Sequence, residues 1–246
     1  MINPKLATSF KILSPTYLQA DHYPHIVFDD FLDPTVASCL SNESKHIADN
    51  LTNKDYQDQG LNDGGDHKDQ ILKRSIADLE AMPFTTSLAC TYFNSEVFVN
   101  YLKELTGIDD LVPDWGFQGG GIHMTYSKGL LNVHHDFNYT DSIGPKRLYR
   151  KVNLLVYLNR EWETEWGGHL ELWKSDLSES FKTIEIKYNR AVLFNIENAP
   201  HGHPHPLTCP TTECRRSLAF YYYSAVKPTD STLYDRAYWL EDGKLA

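Results

Sequence analysis

Asn132-Val133-His134-His135-Asp136-Phe137 (NVHHDF) is the stretch from which the rest of the chain is best read. Side chains alternate along an extended strand, so His134 and Asp136 share one face and His135 turns to the other. An imidazole and a carboxylate two residues apart on one face can grip a single metal ion. They cannot complete its coordination, so a third ligand has to come from elsewhere in the chain. His201 is the candidate, because it follows the apolar run 191–196 through a short Glu-Asn-Ala-Pro turn. His203 and His205 compete for that place, but Pro204 and Pro206 mark their surroundings as loop. Two His and one Asp leave three adjacent octahedral positions open, the arrangement that a non-haem Fe(II) oxygenase needs for a bidentate co-substrate and oxygen.

Outward from this motif, segments rich in β-branched and aromatic residues recur at short intervals: 121–126, 151–157, 169–173, 183–186, 191–196 and 217–224. Turn residues separate them, which predicts many short strands and a double-sheet β fold with a ligand-holding interior. No regular alternation of strand and long helix appears, which excludes a Rossmann or α/β-barrel architecture. Towards the N-terminus, HIVFDDFL (25–32) reads as a strand running into a turn, and Asp33-Pro34 opens a helix with Val36, Leu40 and Ile47 on its apolar side. Helical patterns are expected at 70–80 and 95–106. The Asn-, Asp-, Gly- and Gln-rich stretch 50–69 and the polar stretch 138–149 read as loops long enough to gate a substrate. With 246 residues the chain is expected to be one domain over 1–246, with 1–115 a supporting mixed α/β part and 118–224 the catalytic core.

The formal net charge is −10, with the acidic residues scattered, and a nucleic-acid surface is disfavoured because no basic stripe offsets phosphates. Lys146, Arg147, Arg150 and Lys151 form the densest basic group and read as a solvated strand entrance. No apolar run could cross a membrane, and the N-terminal residues lack a secretory pattern, so cytoplasmic residence is the default expectation. The four cysteines make no CxxC pair, and Cys209 and Cys214 are expected as free thiols.

HHD (134–136), PHGH (200–203), VYLN (156–159), GGHLELW (167–173) and the terminal RRSLAFYYYS (215–224) together resemble the 2-oxoglutarate/Fe(II)-dependent dioxygenase superfamily, most closely its prolyl-4-hydroxylase-like branch. The resemblance is concentrated in residues 118–224. It implies a mainly β fold with flanking helices around a double-stranded β-helix (jelly-roll) core, with Fe(II) held by His134, Asp136 and His201. It also implies 2-oxoglutarate and O2 as co-substrates, with ascorbate as an accessory reductant. Arg216, at the start of the last strand, would meet the distal carboxylate of 2-oxoglutarate, with Arg215 turned to solvent. Tyr157 and Tyr126 would line the same chamber. The spacing from His201 to Arg216 is longer than this branch usually has, which leaves Arg215 as the competing anchor.

The implied reaction is hydroxylation of a C–H bond, with a prolyl residue of a protein or peptide as the expected substrate. A free amino acid, small metabolite or saccharide precursor is the alternative. Two other classes compete. A metal hydrolase on the same ligands would need a general base that no HExxH or paired acidic motif supplies. A non-catalytic metal-binding β-sandwich would keep the fold without turnover. Oligomeric state has no sequence signature here.

Overall fold

The computed structural model describes residues 1–50, 68–229, 232–241 and 244–245. Two short helices, α1 (Pro4–Ala7) and α2 (Phe10–Leu18), precede strand β1 (His25–Phe28) and helix α3 (Pro34–Asn50). Pro34 opens α3, and the Asp33 carboxylate accepts from the backbone N–H groups of Thr35 and Val36, as the Asp-Pro signal predicts. Next come strand β2 (Gln70–Ile76) and helices α4 (Phe84–Phe93) and α5 (Glu96–Thr106). Ser95 caps α5 at one end and Gly107, at φ 72°, ends it at the other. Its buried side chains Phe98, Val99, Leu102 and Leu105 recur at helical spacing. The helix expected at 70–80 is instead β2 followed by a single turn at Leu79–Ala81, because this segment pairs along the free edge of a long strand.

The remaining strands are β3 (Val112–Pro113), β4 (Gly121–His135), β5 (Tyr139–Thr140), β6 (Leu148–Tyr157), β7 (Leu170–Trp173), β8 (Ser180–Ile184), β9 (Ala191–Asn195), β10 (His201–His203), β11 (Cys214–Ser224), β12 (Tyr238–Glu241) and β13 (Lys244–Leu245). All pair antiparallel, in the order β1-β9-β6-β11-β4-β10-β7-β8 along the main path. The result is a mostly β, curled sheet with few helices and a jelly-roll core, as expected. No helix among the described residues is long and apolar enough to cross a membrane.

One face of the sheet packs on the helices. Ile122 and Met124 of β4, Val152, Leu154 and Val156 of β6, and Leu218, Phe220 and Tyr222 of β11 join Phe93, Phe98 and Leu102 in the main core. The opposite face is concave and carries the site. Strand β4 serves both arms of the fold. Its first half pairs with β11, from Gly121 opposite Ala219 to Tyr126 opposite Cys214, and its second half pairs with β10. Between the halves Lys128 sits at φ 67° and Gly129 has no room for a side chain, since a Cβ there would lie 2.7 Å from the Ile71 carbonyl oxygen. The partner strand β2 shifts register at the same place, with Leu72 at φ 50°. Strand β4 also shifts register against β10 between Leu131 and His134, three residues facing two, so side-chain alternation counted back from His134 does not carry into the first half of the strand.

Candidate active site

The register of β10 on β4 sets His201 directly opposite His134, with ring centroids 4.7 Å apart. Asp136, just past the end of β4, reaches between the two rings. Its Oδ1 is 3.5 Å from His134 Nε2 and its Oδ2 is 3.4 Å from His201 Nε2. Each Nδ1 is held by a backbone carbonyl oxygen, that of Asn132 for His134 (2.8 Å) and that of Ala199 for His201 (3.0 Å). The Nδ1–H groups donate to those carbonyls, which leaves both Nε2 lone pairs for a metal. One ligand atom from each of the three residues lies within 4.8 Å of the others. Burial lowers the His201 pKa to about 4, against the pull of Asp136, so the ring is neutral at physiological pH. Burial alone would raise Asp136, yet Arg150 and the two histidines hold it well below the usual carboxylate range. Two imidazoles and one carboxylate fit Fe(II) with an open side.

The sequence gives no hint of what holds Asp136. Its Oδ2 accepts from Arg150 Nη2 (2.9 Å) and from Asn153 Nδ2 (2.8 Å), while Arg150 Nε donates to Asn153 Oδ1 (2.8 Å). The guanidinium lies 3.2 Å over the Tyr221 ring and is fully buried. Arg150 is therefore no solvated strand entrance, and Lys151, also buried, pairs with Glu197. The cause is an irregularity in β6: Val152 pairs with Tyr222 and Arg150 with Tyr223, so the register passes over Lys151. Arg150 thereby joins Asn153 on the concave face.

The two arginines at the start of β11 lie on opposite faces, in the reverse of the expected sense. Arg215, Ser217 and Tyr221 line the cavity beside the triad. Arg216 belongs to the face of Leu218, Phe220 and Tyr222. It lies in a separate surface depression with Lys45, Tyr126 and Glu213, its Nη1 3.6 Å from Glu213 Oε2. The expectation that Arg216 faces the chamber is corrected by strand parity: Tyr222 packs in the helix-side core, and Arg216, six residues earlier, shares its face. Arg215 Nε donates to the Gly168 carbonyl oxygen (2.9 Å), and its Nη2 lies 3.4 Å from the Tyr157 hydroxyl. Tyr157 is thus beside the inward arginine, behind it and not among the residues that line the cavity. Tyr126 is not in the chamber. Its hydroxyl donates to the Ala48 carbonyl oxygen (3.4 Å) on the helix side, because the register shift of β4 between Leu131 and His134 reverses the parity that would have turned it inward.

The cavity encloses about 180 Å³. Lys73, His123, Leu131, His203 and Trp239 also line it, and none of these was expected there except His203, which appeared only as a rival metal ligand. Strand β12 pairs on the outer part of β4 and lays Trp239 against His134 at a centroid separation of 4.8 Å. His135 turns away from the triad, as alternation predicts, and stacks on Tyr234. His205 is exposed, and the free thiols Cys209 and Cys214 are both buried. The 138–149 loop is described and includes β5; nearly all of the 50–69 stretch lies outside the described residues.

The jelly-roll core thus carries a His-Asp-His cluster able to hold a metal ion beside an open cavity. Residues 121–223 match the family model of the 2OG-Fe(II) oxygenase superfamily. The sequence matches none of the curated proteins compared with it. Among solved structures, a prolyl-4-hydroxylase from Pseudomonas putida superposes with a TM-score of 0.58 at 15% identity, covering 88% of this chain and 99% of its own. A prolyl hydroxylase from Trichoplax adhaerens, in complex with a hypoxia inducible factor peptide fragment, gives 0.60 at 14% identity, covering 90% and 94%. HygX from Streptomyces hygroscopicus, with nickel, 2-oxoglutarate and hygromycin B bound, gives 0.53 at 13% identity, covering 86% of each chain. At these identities the likeness is one of fold.

Proposed function

We propose that this protein is an Fe(II)- and 2-oxoglutarate-dependent dioxygenase that hydroxylates a C–H bond, with a prolyl residue of a peptide or protein as its substrate. The observation that carries the reading is a cavity with two histidines and a carboxylate at one side and a buried arginine, itself backed by Tyr157, at another. His134, Asp136 and His201 would hold the metal. Arg215, in place of Arg216, would meet the distal carboxylate of 2-oxoglutarate, since the edge of its guanidinium not used by Gly168 matches a carboxylate. When bound, iron with 2-oxoglutarate and O2 supplies oxidative decarboxylation of the co-substrate to succinate and CO2, coupled to oxygen insertion into the substrate.

The chain's own residues orient and protect. Arg150 and Asn153 occupy Asp136 Oδ2 and leave Oδ1 directed at the metal position. A carboxylate at position 136 fills the place that a halogenase leaves to halide, which favours hydroxylation. Trp239, Phe137 and Leu131 bound the chamber with apolar surface and limit water. Prolyl hydroxylases among the structural neighbours support the peptide substrate. HygX, which holds hygromycin B, supports a small-molecule substrate as the second reading.

Anaerobic titration with Fe(II) and then 2-oxoglutarate tests the central claim. A weak visible charge-transfer band is expected, and it should be lost in His134→Ala and Asp136→Ala. Folded, metal-binding protein without the band would refute the reading. A gain of one oxygen mass on proline-containing peptides, with succinate formed in step, would then identify the substrate class.

A further inference from the structure

The chamber is more basic than one arginine accounts for. Lys73 from β2, His123 from β4, His203 from β10 and Arg215 from β11 line it, against Asp136 as its acidic residue. Strand register explains how they meet. Lys73 pairs with Thr125 and Thr125 with Arg215, so one β4 residue separates two cations whose side chains enter the same space. His203 follows His201 by two residues on β10, and both line the cavity. It is only 3% exposed, and neither of its ring nitrogens has a hydrogen-bond partner among the described residues. A buried imidazole with both nitrogens unpaired is uncommon and costly, and it points to a group that the polypeptide itself does not supply. Burial, with Arg215 close by, also brings the Lys73 pKa down to about 8, Asp136 acting in the opposite direction. Two cations brought together on the wall of one cavity call for an anion between them.

We infer that Lys73 and His203 join Arg215 in a three-armed subsite for the distal carboxylate of 2-oxoglutarate. The inference rests on the function proposed above and adds residues to it; Lys73 stands outside the 121–223 segment that matches the superfamily. A carboxylate offers about four lone-pair directions, enough for the arginine fork, an ammonium and one imidazole N–H. The space of about 180 Å³ suits a small diacid, and the cations lie on the walls of the same cavity as the candidate metal ligands. The carboxylate is therefore assigned to the co-substrate, and a carboxylate of the primary substrate is the outcome that the test must separate.

The test uses the full chain loaded with Fe(II) under anaerobic conditions, titrated with 2-oxoglutarate and separately with 2-oxopentanoate. The second acid keeps the chelating end and the chain length but lacks the distal carboxylate. Lys73→Met should raise the Kd for 2-oxoglutarate by ten- to a hundredfold and leave that for 2-oxopentanoate within twofold. Lys73→Arg should restore most of the affinity, and His203→Leu should weaken 2-oxoglutarate binding by roughly tenfold. Lys73→Gln serves if the Met variant does not fold. Unchanged 2-oxoglutarate affinity in the Lys73 variants would overturn the inference and assign the cluster to the primary substrate. Equal loss for both acids would overturn it in favour of a structural role. Absence of a band in the wild-type protein would refute the proposed function itself, which needs no variant to see.

Discussion

Exchanging the two neighbouring arginines of β11 one at a time gives a direct test of which face holds the co-substrate. Arg215 uses one good hydrogen bond, to Gly168, to fix its guanidinium, while its Nη contacts to Tyr157 and Ser217 are long at 3.4 Å each. Its Nη edge is therefore free to make two charge-assisted bonds to a carboxylate. At roughly 1.5–3 kcal/mol apiece, and less than additive, the pair should contribute about 3 kcal/mol. Arg215→Met should then raise the Kd for 2-oxoglutarate on the order of a hundredfold. Arg215→Lys should fall between, since it keeps the charge and loses the fork. Arg216→Met, on the helix side of the sheet, should change that Kd by no more than about twofold, because its nearest acidic group is Glu213 at 3.6 Å and it does not line the cavity. The assay is the anaerobic charge-transfer titration, with Co(II) binding and a thermal melt as controls for folding. Loss of 2-oxoglutarate binding in Arg216→Met with retention in Arg215→Met would refute the assignment and the strand parity behind it.

Three further outcomes follow from other parts of the molecule. Arg150→Met removes one of the two donors on Asp136 Oδ2 and should weaken metal binding by roughly 10–100-fold, measured by Co(II) titration; an unchanged affinity would leave Arg150 without a role at the metal position. Asp29 hydrogen-bonds Arg190 and lies beside Lys187, and the Arg190 hydrogen bond above all holds its pKa at about 2, below the unfolded value, so its contribution to stability is present above about pH 4 and fades as pH falls towards 2. Because Asp29 is 41% exposed, solvent screening limits that contribution to under about 1 kcal/mol, and Asp29→Asn should show a deficit at pH 7 in denaturant titrations that narrows by pH 3.5; a deficit growing at low pH would contradict the sign. Thiol labelling of the native protein should modify Cys39 rapidly and the other three cysteines only after unfolding, since Cys90, Cys209 and Cys214 are buried and burial raises all three thiols.

The triad was legible in the sequence because its parts are local. His134 and Asp136 sit two apart at the end of one strand, and His201 closes a short turn after an apolar run, so alternation and spacing bring them to one place. The jelly-roll character was legible for a similar reason, through strand-length segments at short intervals. Strand β2 was not, since 70–80 carries no pattern that distinguishes an edge strand from a helix, and its pairing with β4 decided the matter. Tyr126 is placed in the chamber by the resemblance alone, and the strand before HHD turns it to the helix side because β4 shifts register between Leu131 and His134. Arg150 reads as surface charge because it stands in a basic cluster, and only the register of β6 on β11, which passes over Lys151, turns it to the concave face. For Arg215 and Arg216 the parity was available from Leu218, Phe220 and Tyr222, but an alternation of all-apolar and aromatic residues in RRSLAFYYYS does not say which face is the helix side.

By itself, then, the sequence pointed to His134 and Asp136 as a candidate pair with His201 as its candidate third member, to the β-rich core and to free cysteines, which depend on residue type and short-range spacing. Only the tertiary structure decided which arginine enters the cavity, that Arg150 and Asn153 brace Asp136, and that Lys73 and His203 converge on Arg215. The physical reason is common to all three. A strand's side-chain parity is a local rule, but a single bulge reverses it, and the partners that meet across a curled sheet are fixed by register between segments distant in the chain.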